Sequence, residues 1–232
     1  MKKTPINGNF SSMRNALLDN IEITFVRKEE QTVGTWAGGT TTQLAIWPPE
    51  SDYQKRDFMW RLSTAQVGLE ESVFTSLPGY HRLLMILEGS VRLVHETPAG
   101  RRETALNAFE QDAFEGGWKT SSRGRCVDYN LMMAAGCTGV VEALKSSMGT
   151  FDFFAPLAED CIEDGTCLTE AFYCLCSGVR ARAEVEMEIF EATLERGDFL
   201  MFSTREKNFR VAFSNLGEKG VWGVRAGISC RL

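Results

Sequence analysis

Apolar and polar residues alternate along most of the chain in short runs, the pattern of β-strands that bury one face. The run Ile21–Val26 (IEITFV) alternates strictly. Further strands are predicted at 40–47, 58–67, 82–87, 90–95, 125–133, 140–144, 171–176, 179–184, 199–202, 209–213 and 220–229. Only the first twenty residues and the stretch 155–164 suit short helices. The pattern predicts an all-β sandwich or barrel and disfavours a Rossmann-type fold.

A short internal echo divides the chain into two halves. The segment 83–95 (LLMILEGSVRLVH) resembles 171–183 (AFYCLCSGVRARA), each interpreted as a strand, a tight Gly/Ser turn and a second strand. The match of Val91 to Val179 has an offset of 179 − 91 = 88 residues. Such a period is what a duplicated β-barrel leaves. We predict an N-terminal extension at 1–20, a ligand-binding barrel at 21–145, a connection at 146–166 and a second barrel at 167–232.

The charge of the chain argues against polyanionic partners. Its 232 residues contain 25 Lys+Arg and 31 Asp+Glu, so the net charge is 25 − 31 = −6. An acidic chain without a basic run longer than two residues attracts neither nucleic acid nor an anionic membrane surface. We expect no nucleic-acid and no membrane partner.

The N-terminus lacks the apolar core of a signal peptide, and no window approaches the roughly 18 apolar residues of a membrane span. The expected location is therefore the cytoplasm. Seven cysteines, an odd number without an export signal, are then expected to be free thiols. The spacing of the four cysteines between 161 and 176 is not that of a zinc ribbon.

Five motifs together resemble the HutD/Ves family of two-cupin proteins. They are WAGGTTTQL (36–44), WRLSTA (60–65), FTSLPGYHR (74–82), LEG (87–89) and VDYNLM (127–132). The resemblance implies a bicupin, with two antiparallel β-barrels (double-stranded β-helices) in one chain. The resemblance also links the chain to histidine utilisation, and this link implies as ligand a small acidic breakdown product such as formylglutamate. The chain departs from the family at Ala37 and Gln43, where Asn and Glu are frequent, and this bears on ligand preference.

Metal-dependent and covalent catalysis find little support in the sequence. Cupin metal sites usually combine two or three histidines with a glutamate, whereas this chain has only His81 and His95. We interpret each as a surface or turn histidine. No Gly-x-Ser-x-Gly elbow, P-loop or cysteine with a local histidine partner occurs. We therefore assign no metal, no cofactor and no catalytic residue.

Polar residues inside apolar strands instead suit a binding site. Alternate side chains of a strand share a face, so Arg61 accompanies Ser63 and Asp128 accompanies Asn130. Arginine offers a carboxylate two parallel hydrogen bonds in a fixed plane. Pairing of Arg61 or Arg82 with an internal carboxylate such as Asp128 remains the alternative to ligand binding.

The loop before the strand 40–47 is the second source of candidate ligand contacts. Gly38-Gly39 lets a ligand approach main-chain N–H groups, unless it forms only a hairpin turn or bulge. By alternation, Thr40 and Thr42 are predicted to face the barrel interior with Leu44 and Ile46. The complete predicted site comprises Trp36, Gly38, Gly39, Thr40, Thr42, Arg61, Ser63, Arg82, Asp128 and Asn130.

Two functions remain open on the sequence. The first is a regulatory bicupin that senses a small carboxylate, so the expected partner is a small anionic metabolite. The second is a metal-independent enzyme acting on a small carboxylate with Asp128 as general base. The missing nucleophile and metal cluster favour the first. A purely structural partner protein is a weaker third reading, and homodimerisation is left open.

Overall fold

The computed structural model of the protein describes residues 15–18, 21–146, 149–155, 166–185, 188–204, 209–215 and 220–231. Within these ranges the chain is almost entirely β, with one short 3-10 helix at Lys28–Glu30. The strands are β1 (Asn15–Leu18), β2 (Ile21–Val26), β3 (Thr32–Trp36), β4 (Gly39–Trp47), β5 (Trp60–Val67), β6 (Glu71–Val73), β7 (Tyr80–Thr97), β8 (Gly100–Asn107), β9 (Gln111–Glu115), β10 (Lys119–Arg123), β11 (Cys126–Ala134), β12 (Cys137–Ser146), β13 (Gly149–Ala155), β14 (Thr166–Cys174), β15 (Val179–Val185), β16 (Glu188–Leu194), β17 (Phe199–Thr204), β18 (Phe209–Asn215) and β19 (Gly220–Arg231). The predicted all-β class is confirmed.

The described strands form three sheets whose observed pairings are antiparallel. The orders are β1-β2-β17-β14-β19-β12, then β3-β4-β5-β11-β7-β10-β6 with β8 and β9 also paired to β7, and finally β13-β18-β15-β16. Long-range contacts divide the chain into two units. The continuous unit is residues 31–137, and the split unit comprises the described parts of 1–30 and 138–232.

Strand β2 belongs to the split unit. It pairs along its whole length with β17, from Val26 opposite Phe199 to Ile21 opposite Thr204. Its apolar face enters the same buried cluster as Phe202, and Asp198 accepts hydrogen bonds from Arg27 Nη1 (2.6 Å) and the Lys28 N–H (3.1 Å). The predicted domain start at residue 21 is therefore corrected, because alternation identifies a strand but not its partner.

The continuous unit is organised around β7, which runs through 18 residues. Its first part pairs with β11 and β9, and its second part pairs with β8 and β10. The change occurs at Gly89, whose φ of 80° favours glycine and whose α-carbon lies against the Arg125 carbonyl. The predicted tight turn at this point is wrong, since a bend carries one continuous strand from one set of partners to another.

The split unit contains the other half of the echo, and here a four-residue connection at 175–178 separates two strands where a tight turn was predicted. Strand β14 ends at Cys174, and β15 starts at Val179 after Gly178, whose φ is 77°. The first strand pairs with β17 and β19, and the second pairs with β16 and β18. In both segments the chain thus passes from one set of strand partners to another. The change occurs within one strand at Gly89 and through a connection at 175–178 in the split unit.

Seven strands of three to eight residues were not predicted from the alternation of the sequence. They are β3, β6, β8, β9, β10, β13 and β16. The N-terminal helix is corrected at residues 15–18, which form strand β1 paired with β2. The helix predicted at 155–164 falls almost wholly on residues outside the described ranges, and Ala155 itself ends β13.

The expectation of free thiols is corrected for two cysteines. Cys137 and Cys230 are disulfide-bonded. Cys137 lies on β12 and Cys230 on β19, and a count of cysteines does not reveal which of them are bonded. Cys126, Cys167, Cys174 and Cys176 are not in disulfide bonds. Burial raises the pKa of Cys126 and of Cys174 to about 12, so both are protonated core residues.

Among the described residues, no helix has the length and apolar character needed to cross a membrane.

Candidate functional site

A cavity of about 700 Å³ opens within the continuous unit. This volume suits a small organic ligand. Strands β3, β4, β5, β7 and β11 contribute to its wall, together with segments 50–55 and 73–75. Its lining residues are Thr32, Gly34, Thr35, Trp36, Thr41, Gln43, Glu50, Ser51, Asp52, Tyr53, Gln54, Lys55, Arg61, Ser63, Ala65, Val67, Val73, Phe74, Thr75, Arg82, Asp128, Asn130 and Met132.

Strand register explains why these polar side chains meet. Residues opposite each other on neighbouring strands point to the same face. One row across the sheet is Gln43, Ser63 and Asn130 on β4, β5 and β11. The next row is Thr41, Ala65 and Asp128, and a third joins Arg61 to Arg82 through Met132. The cavity wall is therefore built from three adjacent rows of one antiparallel sheet.

Six of the ten predicted site residues line this cavity. They are Trp36, Arg61, Ser63, Arg82, Asp128 and Asn130. The predicted common faces of β5 and β11 agree with the register of these strands. Their role in holding a ligand remains a prediction.

Thr40 and Thr42 are not in the cavity wall, and Thr41 and Gln43 take their place. The cause is an irregularity in the pairing of β4 with β5 between Gln43 and Ala45. Ile46 lies opposite Arg61 and Gln43 opposite Ser63, so the extra residue reverses the phase of alternation. Plain alternation, which places Thr40 and Thr42 with Leu44 and Ile46, does not include this bulge and so predicts the wrong face for the two threonines.

Gly38 and Gly39 also lie outside the lining residues. Trp36 pairs with Gly39 across a hairpin, and the intervening Gly38 packs against the Trp36 ring. A side chain at Gly39 would collide with the Gln66 carbonyl. Both glycines are therefore required by the close packing of a turn. The predicted approach of a ligand to their N–H groups is replaced by this hairpin, which leaves Trp36 on the cavity wall.

Arg61 is buried and has only neutral hydrogen-bond partners. Its Nε donates to Gln43 Oε1 at 2.9 Å, and its Nη1 donates to Ser63 Oγ at 3.0 Å. The guanidinium carbon lies 4.6 Å from the centre of the Tyr53 ring. Burial lowers the pKa of Arg61 below its usual value. Among the described residues no carboxylate pairs with Arg61, which lines the cavity.

Arg82 is 4% exposed and is held by aromatic rings. Its guanidinium carbon lies 4.9 Å from the centre of the Phe74 ring and 5.2 Å from that of Phe114. The buried Nε has no hydrogen-bond partner among the described residues. Burial lowers the pKa of Arg82 to about 10, while the charge of Asp128 opposes this shift. Arg82 is thus a buried cation with a donor to spare.

Asp128 and Asn130 contribute acceptors to the same wall. Both side chains are buried, and neither Asp128 Oδ1 nor Asn130 Oδ1 has a hydrogen-bond partner within the described chain. Burial raises the pKa of Asp128 to about 7, and the charge of Arg82 and the Ala65 backbone oppose the shift. Buried polar atoms are seldom unpaired, so three in one cavity indicate a ligand or water site.

The segment 50–55 supplies cavity residues that the sequence did not reveal. Tyr53 lies between Arg61 and Arg56, with its ring centre 4.6 Å and 4.7 Å from their guanidinium carbons. The segment is fixed by the carboxylate of Asp57, which accepts the Asp52 N–H at 2.8 Å. The segment belongs to the connection between β4 and β5, and it reaches the cavity because these two strands pair with each other. Gln43 did carry a signal, since it is a departure from the family pattern.

Comparison with known proteins now adds to this geometry. The sequence model of HutD matches residues 28–218. The chain belongs to the HutD family. No curated protein matches the sequence. Two solved structures resemble this HutD-family chain. PA5104 from Pseudomonas aeruginosa PAO1 is 20% identical with a TM-score of 0.70, covering 89% of this chain and 98% of that one. HutD from Pseudomonas fluorescens SBW25, in a formate condition, is 19% identical with a TM-score of 0.66, covering 90% and 100%.

Oxalate decarboxylase from Bacillus subtilis is a more distant match. It is 8% identical with a TM-score of 0.58, covering 93% of this chain and 78% of that one. At these identities the likeness concerns the fold, which is cupin-like. The solved structures therefore confirm the cupin-like architecture of the HutD-family chain.

The residues of the cavity do not fit a divalent metal. The decarboxylase has Mn(II) centres, and Mn(II) is held by carboxylate, imidazole and water ligands. This cavity offers one carboxylate at its buried wall, Asp128, and two guanidiniums, Arg61 and Arg82, whose charges repel a cation. Among the described residues no three His, Cys, Asp or Glu side chains are grouped to hold a metal.

The two histidines lie outside the cavity wall. His81 is exposed and contacts Glu115 at 3.0 Å, in agreement with its interpretation as a surface residue. His95 is completely buried, which corrects the interpretation as a turn or surface residue. Its Nε2 lies 2.9 Å from Asp112 Oδ2 and its Nδ1 lies 2.9 Å from Thr120 Oγ1. Burial lowers the pKa of His95, which is a fully bonded core residue.

Proposed function

We propose that this HutD-family chain is a bicupin that binds a small carboxylate in the cavity of its continuous unit and acts as a regulator. One observation carries the proposal. Two buried arginines, Arg61 and Arg82, face a cavity whose buried wall holds a single carboxylate, Asp128. The wall therefore carries one excess positive charge, which suits an anion.

Desolvation makes this excess charge significant. Burying a cation without a compensating anion is costly, and the lowered pKa of Arg61 and of Arg82 expresses that cost. A bound carboxylate offsets it by charge-assisted hydrogen bonds. Arg82 Nε is unpartnered, and Arg61 uses Nε and Nη1 on neutral groups and so keeps Nη2 for a ligand.

The size of the cavity favours a ligand larger than formate. A volume of about 700 Å³ accommodates an organic acid of ordinary metabolite size. Formylglutamate, which the family resemblance suggests, is of this size and class. A role in histidine utilisation, a cytoplasmic location and assembly as a homodimer complete the proposal.

Thermal denaturation with added acids tests the proposal. A ligand that binds only the folded state raises the melting temperature in proportion to RT ln(1 + [L]/Kd). We expect a rise with formate at high concentration and with formylglutamate at lower concentration, and none with the uncharged amides of the same acids. The rise should disappear in Arg61→Met and persist in Arg92→Met, a matched change of an exposed arginine. Equal responses of both variants would contradict the proposal.

A metal-independent enzyme is the second candidate, and the state of Asp128 favours it. A general base works best with a pKa near the working pH, and burial raises the pKa of Asp128 to about 7. In this reading Arg61 and Arg82 hold the substrate carboxylate while Asp128 takes a proton from carbon. Incubation of candidate acids in D₂O, followed by NMR, should show exchange or turnover that Asp128→Asn abolishes. Binding without either would leave the regulator as the function.

A further inference from the structure

The cavity requires more from a ligand than negative charge. Its wall holds three buried atoms without hydrogen-bond partners among the described residues. Arg82 Nε is a donor and needs an acceptor, while Asp128 Oδ1 and Asn130 Oδ1 are acceptors and need donors. A bare carboxylate contains only acceptors, so it would satisfy Arg82 and leave the other two unpaired.

The net charge of the buried wall limits the number of ligand carboxylates that it can balance. The buried wall has two guanidiniums and one carboxylate, a net charge of +1 while Asp128 is ionised. A single bound carboxylate neutralises this wall without protonation of Asp128. Glu50, Asp52 and Lys55 also line the cavity, but these side chains are exposed to solvent, which screens their charges.

We propose, on the basis of the carboxylate-binding function above, that the ligand also carries a hydrogen-bond donor, an amide N–H or a hydroxyl, and that Asp128 and Asn130 select for this donor. The two acceptors lie two residues apart on β11, and Asp128 and Asn130 project from the same face. Arg61 lies two residues from Ser63, which pairs with Asn130 on the neighbouring strand. One end of the ligand therefore meets the guanidiniums and the donor-bearing part meets β11.

The proton balance of Asp128 provides an independent readout. Before binding, the pKa of this carboxyl is about 7 because of burial. A ligand carboxylate placed beside Asp128 raises its pKa, so binding near pH 7 favours proton uptake. A donor hydrogen-bonded to the ionised form of Asp128 lowers the pKa and opposes that uptake. The difference in proton change between two ligands that share the carboxylate and differ only in the donor thus reports whether the donor reaches Asp128.

The neighbours of Asp128 do not obscure this readout. The charged side chain that interacts with Asp128 is Arg82 on β7, and Arg82 in turn interacts with Tyr53, Arg61 and Arg56. On its own strand the titratable neighbour is the Cys126 thiol, whose pKa burial raises to about 12. Burial lowers the pKa of Arg82 only to about 10, so both groups keep their protons near neutrality.

Isothermal titration calorimetry with matched acids tests the inference. N-formylglycine and N-formylsarcosine differ by replacement of one N–H with N–CH₃, and glycolate and methoxyacetate differ by replacement of O–H with O–CH₃. We expect the donor-bearing member of at least one pair to bind at least about tenfold more tightly. Titration in Bis-Tris and in Tris, two cationic buffers whose heats of protonation differ, should show fewer protons taken up, or more released, for that member than for its methylated partner.

Variants separate this inference from the proposed function. Asn130→Leu should reduce the ratio of affinities within a pair, whereas Thr40→Val, outside the cavity wall, should leave it unchanged. If both members of each pair bind equally and Arg61→Met still abolishes binding, water satisfies the acceptors and only the donor inference is overturned. If no acid of either pair binds the wild-type protein, the inference and the carboxylate-binding function are both overturned. The wild-type comparison decides even if Asn130→Leu fails to fold.

Discussion

The two units bury arginine in opposite ways. In the split unit, Arg225 is matched: Nε and Nη2 each donate to Glu170 at 2.7 Å, and Nη1 donates to Glu142 at 2.6 Å. Burial alone would lower the pKa of Arg225, but these carboxylates raise it above its usual value. In the continuous unit, burial lowers the pKa of Arg61 and of Arg82, and Asp128 compensates only in part.

The interiors around these arginines also differ: one is filled with packed side chains and the other contains a cavity. The split unit is packed with aromatic rings, including Phe172 and Phe213 with ring centres 4.4 Å apart and Trp222 5.1 Å from Phe213. The continuous unit contains the cavity of about 700 Å³. A matched buried charge fixes a structure, whereas an unmatched one beside an open volume suits an exchangeable partner. The comparison predicts which substitutions affect stability and which affect binding.

The largest effect is expected from breaking the matched pair. Glu170→Ala removes the buried partner of Arg225, whose side chain is 14% exposed, and leaves it the half-exposed Glu142; removal of one partner of a buried pair costs up to about 3–5 kcal/mol of unfolding free energy. Urea denaturation monitored by tryptophan fluorescence measures the change. Glu142→Ala is the control and should cost no more than about 1 kcal/mol. Similar losses in both variants would show that Glu170 is not the principal partner.

Asp128→Asn should act in the opposite direction in the continuous unit. Burial raises the pKa of Asp128 from 3.8 to about 7 in the folded protein, which therefore binds more protons than the unfolded chain between these pH values. The free energy of unfolding then falls as the pH rises from about 4 to about 7, by no more than about 4 kcal/mol at roughly 1.4 kcal/mol per pH unit.

The Asp128→Asn variant should lose this decline and be more stable than wild type above pH 7. Urea denaturation of both proteins between pH 4 and pH 8 provides the measurement. Parallel stability profiles would mean that Asp128 is already solvated by water in the empty cavity.

Arg61→Lys tests the geometry of anion binding. Lysine keeps the positive charge but loses the planar fork, so affinity for a carboxylate should fall by about 1.5–3 kcal/mol, the range for hydrogen bonds to charged groups. Calorimetry with formylglutamate measures the loss, and Arg92→Lys at an exposed position is the control. An unchanged affinity would make Arg61 structural and leave Arg82 as the anchor.

The smallest effect tests the corrected face of β4. Thr41→Val removes a hydroxyl from the cavity wall and should weaken binding by about 0.5–1.5 kcal/mol if that hydroxyl contacts the ligand. Thr42→Val is the matched control on the opposite face, with an expected change within about 0.5 kcal/mol. A larger effect at Thr42 than at Thr41 would restore the face predicted from alternation.

Alternation of apolar and polar residues predicted the position of a strand and the face of its side chains where the strand is regular. It failed where these depend on pairing with a neighbouring strand. Ile21–Val26 and the common face of Arg61 and Ser63 were predictable, because β2 and β5 keep a regular period. The phase of β4 was not, since a bulge near Leu44 inserts one residue that composition does not mark. Nor does Tyr53 carry a signal, because its contact with Arg61 depends on the path of a connection.

The unmatched charge of the cavity was visible in the sequence only as an ambiguity. An arginine within an apolar strand implies a carboxylate or a ligand, and Arg225 with Glu170 has the same pattern as Arg61 with Asp128. Which arginine finds its internal partner depends on distances across the sheet. Cross-strand register therefore decides between a structural and a binding role, and the sequence contains that register only indirectly.

The pairing of β2 with β17 also has a consequence for synthesis on the ribosome. Val26 lies opposite Phe199, so the first of the two strands emerges 199 − 26 = 173 residues before its partner. At about 5–20 residues per second this interval lasts roughly 9–35 s. The continuous unit, residues 31–137, can complete its sheet during that time, while the edge of β2 that pairs with β17 stays without its partner strand. An early-made, late-paired strand is open to intermolecular association, so slow translation of the second half of the chain should increase aggregation of the nascent protein.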